Sequence, residues 1–271
     1  MLCLMLSKWP LLMSESLKIS SRGEGPELVL LHGWAMHSGI WSGIVDVLAS
    51  EFRVNLVDLP GHGMNRDVPL SRQLNDLVDL LLSRLPPAVW MGWSLGGLVT
   101  LAAAIKQPHK VQKAILVAAT PCFSFQEDWE CGVDIASQQA FIDGLENDFE
   151  GTLKQFYLQC FGANWLKHSL RLLGQAPVGN TMPANHVMHT GLHLLYSNKL
   201  LGGLGNCGVP TIFLGGTRDR IIKPESFEKA AALMPGASCC LIRGAGHAPF
   251  SSHQDRFLDI IRGFILGEQS A

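Results

Sequence analysis

Short runs in which nearly every residue is apolar recur along the chain, separated by stretches with helical spacing. Leu28-Val29-Leu30-Leu31, Val54-Asn55-Leu56-Val57, Ala88-Val89-Trp90-Met91, Ala114-Ile115-Leu116-Val117, Thr211-Ile212-Phe213-Leu214 and Cys239-Cys240-Leu241-Ile242 are each of strand length. A strand that is apolar on both faces is covered on both sides, as in a parallel sheet. Leu17 to Ser21, before the turn Gly23-Glu24-Gly25, reads as one more strand. Between the strands, Trp41, Ile44, Val45 and Leu48 follow i, i+3, i+4, i+7. So do Leu74, Leu77, Val78, Leu81 and Leu85, with Ser71 placed to cap that helix. Leu95 to Ile105 stops before Pro108, and Phe257, Leu258, Ile261 and Ile265 make a final stripe. Strands alternating with helices predict an α/β fold with a doubly wound, mostly parallel sheet. Residues from about 121 to 196 break the alternation: they carry many aromatics and no strand pattern. They read as a helical lid inserted over the carboxyl edge of the sheet.

Composition narrows the class. Of 271 residues, 47% are hydrophobic and 16% charged, enough to build a large core. Mean hydropathy is +0.20, yet no apolar run is long enough to span a bilayer. A net charge of −2 does not point to nucleic acid. Seven scattered cysteines without a CxxC pair argue against a disulfide framework and for a reducing, cytoplasmic setting. Cys239 and Cys240 are adjacent in a strand, so they are expected on opposite faces as small core residues. The first twelve residues, MLCLMLSKWPLL, are interrupted by Lys8 and Pro10 and lack a small-residue cleavage site. They read as a disordered or misassigned leader, with Met13 as the true start and residues 13–271 as one domain.

The chemistry is concentrated where strands end. Gly92-Trp93-Ser94-Leu95-Gly96 matches G-x-S-x-G, and a strand enters it while a helix leaves it. That setting is a nucleophile elbow, in which Gly92, Gly96 and Gly97 remove side chains that would collide in a tight turn. Ser94 is therefore the candidate nucleophile, held at a helix N-terminus. His32-Gly33-Trp34 follows the Leu28–Leu31 strand, where this architecture takes an oxyanion donor. The backbone N–H groups of Trp34 and Leu95 are the candidates, with Gly33 letting the backbone approach the substrate. His32 precedes the nucleophile and reads as a brace for the loop. In the order Ser, acid, His, the base is His247 in Gly244-Ala245-Gly246-His247-Ala248-Pro249-Phe250, with His253 as runner-up. The acid is Asp219, after the Thr211–Leu214 strand, and Asp58 reads as a turn organiser. His186, His189 and His193 share a helix face without a nearby carboxylate, so no metal site is assigned.

These motifs, with Asp58-Leu59-Pro60-Gly61-His62-Gly63, resemble the α/β-hydrolase superfamily along nearly the whole chain. Leu30-Leu31-His32-Gly33-Trp34, Trp93-Ser94-Leu95-Gly96-Gly97-Leu98-Val99 and Pro121-Cys122-Phe123-Ser124 are more narrowly similar to the methyl ester esterases that act on pimeloyl-acyl-carrier protein in biotin synthesis. The resemblance implies cleavage of a methyl ester on a carrier-bound chain, with Trp34, Leu95, Phe156 and His247 contacting substrate. It also implies an acyl-carrier protein as partner. Charge segregation is compatible with that: residues 121–150 hold eight acidic and no basic side chains, and residues 151–218 hold no acidic ones. Lys167 and Arg171, at i, i+4, are the candidate docking pair. The family's docking surface has several lid arginines; here Gly151 and Gln155 stand where basic residues are expected.

The mechanism expected is acyl transfer through a Ser94 ester intermediate, with no metal or organic cofactor. A monomer is expected, with neither nucleic acid nor membrane as partner. Alternatives on the same triad are a short-chain carboxylesterase, a carbon–carbon bond hydrolase or a perhydrolase. A ligand-binding protein that has kept the fold is the alternative of another class.

Overall fold

The computed structural model describes residues 17–162 and 182–267. The leader and the pair Lys167 and Arg171 lie outside the described residues. Seven strands form one sheet: β1 (Ile19–Arg22), β2 (Glu27–Leu31), β3 (Arg53–Val57), β4 (Ala88–Trp93), β5 (Val111–Val117), β6 (Thr211–Gly216) and β7 (Ala237–Ile242). Their order is β1-β3-β2-β4-β5-β6-β7. Only β1 runs antiparallel, paired with β3. The other neighbours are parallel.

The apolar runs alternate between two cores. Leu28 and Leu30 enter one cluster with Trp41, Met91 and Ile115, whereas Val29 and Leu31 enter the other with Trp90 and Leu116. The first core is closed by α1 (Val45–Ala49) and by α10 (Gln254–Leu266), the last helix of the chain. The second is closed by α2 (Leu74–Arg84) and α3 (Leu95–Lys106). Both faces are thus dry, which explains strands that are apolar throughout rather than alternating.

Between β5 and β6 lie α4 (Ile135–Asn147), α5 (Phe149–Phe161), α6 (Asn185–Ser197) and the single turn α7 (Leu201–Leu204). Residues 121–134 are not helical: they form turns with isolated bridges, Ser124 to Val133 and Gln126 to Trp129. The remaining helices are α8 (Glu225–Ala232) and the short α9 (Pro249–Ser252).

Local expectations differ in three places. The Trp41–Leu48 stripe is not one helix, because a 3₁₀ segment over Ser38–Gly43 precedes α1 with a break at Ile44. The N-cap position of α2 is Gln73, not Ser71, and Gln73 makes no side-chain capping bond. The Ser71 hydroxyl accepts from Gln73 N and donates to Asp76, so it organises the approach to the helix. Cys239 and Cys240 do pack against opposite cores, but only partly buried, because β7 is an edge strand with one sheet neighbour.

Candidate active site

Strand order reverses between β2 and β4. From β2 the chain steps outward to β3, then returns to the far side of β2 to make β4. Loops at the carboxyl ends of β2 and β4 therefore diverge and leave a crevice, the usual ligand position in an open α/β sheet. The loop after β2 carries Gly33-Trp34, and the turn after β4 carries Ser94.

Ser94 has φ 54° and ψ −113°, a conformation an L-residue adopts only when its surroundings force it. The forcing comes from packing. A Cβ on Gly96 would lie 2.5 Å from the Leu31 carbonyl oxygen, and a Cβ on Gly92 would strike the Gly96 carbonyl. Helix α3 can thus press against β2 and β4 and turn the chain sharply at Ser94. Ser94 N–H donates to Val117 O at 2.9 Å, tying the turn to β5. The hydroxyl makes no capping bond to α3, so it is left for chemistry.

His247 and Asp219 are brought together. His247 Nδ1 and Asp219 Oδ2 are 2.8 Å apart, with both side chains wholly buried. The other carboxylate oxygen accepts from Ile221 N–H at 2.8 Å and Ile222 N–H at 3.0 Å. With those donors on one side, Asp219 presents an acceptor to the ring, so Nδ1 carries the proton and Nε2 has the free lone pair. His247 Nε2 is buried and makes no hydrogen bond. No hydrogen bond joins Ser94 to His247. Trp93 fixes the histidine loop by donating its indole N–H to His247 O at 2.8 Å. His253 stands between α9 and α10 and bonds the Ser252 hydroxyl instead.

The backbone N–H groups of Trp34 and Leu95 donate no hydrogen bond among the described residues. Glycine at 33 also has a packing reason: a Cβ there would lie 2.8 Å from the Trp93 ring. His32 is a brace, as expected. Its Nε2 accepts from Leu59 N–H at 2.9 Å and its Nδ1 faces Gly33 O at 2.8 Å. Burial, with His62 nearby, pulls its pKa down to about 3, so it is neutral. Asp58 accepts from Ser38 N–H and Met64 N–H, which confirms the turn-organising role. Burial alone would raise its pKa, but the Ser38 and Met64 N–H donors hold it below the usual carboxylate value.

A cavity of about 500 Å³ opens over Ser94. Its inner wall is apolar, with Trp34, Phe123, Phe141, Phe156, Leu192 and Leu195. Trp34 meets Phe156 edge-on at 5.0 Å and Phe141 at 5.5 Å. Glu130, Asp134, Arg220 and Lys223 also line it and are exposed. Cys131 lines it too, and no motif in the sequence pointed to that. Of the basic residues between 151 and 218, Lys199 is neutralised by Asp128 at 2.7 Å, which also holds the Asp128 carboxyl below its ordinary pKa. His193 bonds Ser197 along α6. Among the described residues, no three His, Cys, Asp or Glu side chains are grouped to hold a metal.

The profile of the alpha/beta hydrolase family matches residues 28–260. The chain belongs to the alpha/beta hydrolase family. Within this family, a pimeloyl-[acyl-carrier protein] methyl ester esterase from Stenotrophomonas maltophilia is 41% identical over 248 residues, covering 91% of this chain and 95% of the relative. A protein of the same name from Xylella fastidiosa is 38% identical over 250 residues, covering 91% and 98%. Among solved structures, an esterase from Exiguobacterium antarcticum superposes with a TM-score of 0.81 at 21% identity over 91% of this chain and 94% of that one. That likeness is one of fold. The esterase RhEst1 from Rhodococcus reaches a TM-score of 0.72 at 26% identity over 91% and 93%. No helix among the described residues is long and apolar enough to cross a membrane.

Proposed function

We propose that this chain is a serine carboxylesterase that hydrolyses the methyl ester of pimeloyl-acyl-carrier protein in biotin synthesis, using Ser94, His247 and Asp219. The observation that carries the chemistry is the buried Asp219–His247 bond, which leaves Nε2 unpartnered, together with a strained Ser94 that lines the cavity. The substrate is supported by relatives of that name at 38–41% identity along nine-tenths of the chain.

In the first step His247 Nε2 takes the Ser94 proton while Oγ attacks the ester carbonyl. The oxyanion rests on the N–H groups of Trp34 and Leu95, aided by the positive end of α3. Imidazolium, stabilised by Asp219, returns the proton to the leaving methoxide, and methanol departs. Water, activated by the same imidazole, then hydrolyses the acyl-enzyme to a free carboxylate and restores Ser94. The aromatic wall formed by Trp34, Phe141 and Phe156 suits a methylene chain, and the exposed rim suits its polar carrier end. The helices between β5 and β6 act as a lid over the site. Lys167 and Arg171 are assigned to carrier docking on their charge and spacing in the sequence. The enzyme acts as a cytoplasmic monomer.

The test is hydrolysis of methyl pimeloyl-carrier protein against free methyl pimelate and a short nitrophenyl ester. Wild type, Ser94→Ala and Lys167→Glu/Arg171→Glu are compared. Preference for the carrier-bound ester, lost on charge reversal without harm to the small esters, supports the whole reading. Equal rates with the small esters, unchanged by charge reversal, leave a general carboxylesterase. Labelling of Ser94 by a fluorophosphonate separates either enzyme from a non-catalytic binder.

A further inference from the structure

Two residues are assigned above to the oxyanion hole: Trp34, in the loop after β2, and Leu95, the first residue of α3. One glycine faces the side chains of both. A Cβ built on Gly191, in α6, would lie 2.8 Å from Trp34 Cδ1, 3.3 Å from Trp34 Nε1 and 3.6 Å from Leu95 Cδ2. Beside it, the Trp34 indole donates its N–H to the carbonyl of Met188, also in α6, at 2.8 Å. That bond joins residues 154 apart in sequence and is buried. A side chain at 191 would push the indole away from the helix and break it.

The loop that Trp34 occupies needs such an anchor. Ala35 has φ 58°, a left-handed conformation that costs an alanine about 1 kcal/mol or more. The Met36 N–H to Gly33 O bond across the turn is long, 3.3 Å. His32 and Asp58 brace the loop on either side of Trp34 and Ala35; these two residues are themselves tethered by the Met188 carbonyl on α6 and by the Tyr157 hydroxyl of α5, 3.4 Å from Ala35 O. Gly191 is also an unfavourable choice on local grounds, since glycine inside a helix costs about 1 kcal/mol relative to alanine. Its place opposite Trp34 and Leu95 gives that choice a physical reason.

We propose that Gly191 and the Met188 carbonyl of α6 form a seat for the Trp34 indole that positions the oxyanion-hole N–H of Trp34. Gly191 is then a positioning residue for the reaction, acting through Trp34, and α6 is a structural part of the oxyanion hole. This rests on the assignment of Ser94 as nucleophile and of Trp34 as oxyanion donor.

The experiment uses Gly191→Ala and Trp34→Phe, with Ser94→Ala as reference, on a short nitrophenyl ester. Alanine favours the helix, so a purely structural glycine would give an equally active and equally or more stable protein. The seat predicts a fall in kcat of about 10- to 100-fold for Gly191→Ala, with KM within about threefold. An alkyl boronic acid, which mimics the tetrahedral intermediate, should bind more weakly in proportion to the loss in kcat/KM. The pH profile should keep its shape, because Asp219 and His247 are untouched. Trp34→Phe keeps a ring but loses the N–H donor, and is expected to lower kcat by about tenfold. Adding Gly191→Ala to it should cost less than in wild type, since the N–H bond to Met188 is already gone. If Gly191→Ala does not fold, Trp34→Phe decides by the same kcat and boronate measurements. A Gly191→Ala enzyme with kcat within twofold of wild type, or with unchanged boronate affinity, overturns the proposal. So does a loss confined to KM. Activity retained by Ser94→Ala would instead overturn the functional reading beneath it.

Discussion

Replacing Asp219 by Asn tests the charge arrangement with little change in shape. The carboxylate faces His247 Nδ1 with one oxygen, and two backbone N–H groups, Ile221 and Ile222, with the other. Those two donors need an acceptor, so an asparagine must leave its carbonyl oxygen there. Its amide NH₂ then points at His247 Nδ1, which has to accept. The ring proton moves to Nε2, the atom that must take the Ser94 proton, and the imidazolium also loses its counter-charge. In a Ser-His-Asp triad this tautomer error costs about 10⁴-fold in kcat, about 5 kcal/mol of transition-state stabilisation. Stability should change little, because volume and the two backbone bonds are kept. The assay is nitrophenyl ester hydrolysis, paired with a thermal melt by circular dichroism. Asp219→Asn with more than about one-tenth of wild-type kcat would refute the assigned tautomer and the role of Asp219. A melt lowered by more than about 10 °C would show that the residue mainly holds the fold.

Three further outcomes follow from the geometry. Ser94→Gly should be inactive yet more stable, because glycine relieves the φ 54° strain; about 1 kcal/mol, or about 2–4 °C in Tm, is expected, and a lowered Tm would contradict it. His32 and His62 are held neutral by burial, with folded pKa values below the unfolded 6.5, that of His32 at about 3. Their contribution is complete above pH 6.5 and is lost as pH falls towards the folded values, for His32 at about 1.4 kcal/mol per pH unit. Urea midpoints at pH 7.5, 6 and 5 measure this, and a flat profile would rule it out. Phe156→Ala removes the ring that meets Trp34 edge-on at 5.0 Å; KM for a long-chain acyl ester should rise about tenfold while that for an acetyl ester stays near wild type.

Much of the architecture was legible along the chain because its determinants are local. Strands buried on both faces are apolar at every position, so β2, β4, β5 and β6 could be seen as short runs without any knowledge of their neighbours. The elbow around Ser94 could be seen for a similar reason: the glycines that permit it lie within three residues of the serine. The pairing of Asp219 with His247 is expected from chain order and from their positions after β6 and β7, and the two are 2.8 Å apart. That rule holds because a parallel sheet delivers all its carboxyl ends to one edge.

Tertiary structure decided what depends on contact across sequence distance. Only packing shows that Gly33 yields to Trp93, since nothing near residue 33 marks an indole sixty positions away. The break in the Trp41–Leu48 stripe escaped periodicity, because a 3₁₀ turn followed by an α-turn presents the same residues inward. The charge segregation between residues 121–150 and 151–218 is partly cancelled by contact, since Lys199 pairs with Asp128, 71 residues earlier. The seat of Trp34 on α6 left almost no trace, because its acceptor is a backbone carbonyl that any residue at 188 would supply. A glycine inside a helical pattern at 191 was its one visible sign. Side-chain identity and spacing thus determine which groups this chain can bring to the sheet edge. Which of them touch, and how tightly they are held, is set by packing between segments that the sequence keeps far apart.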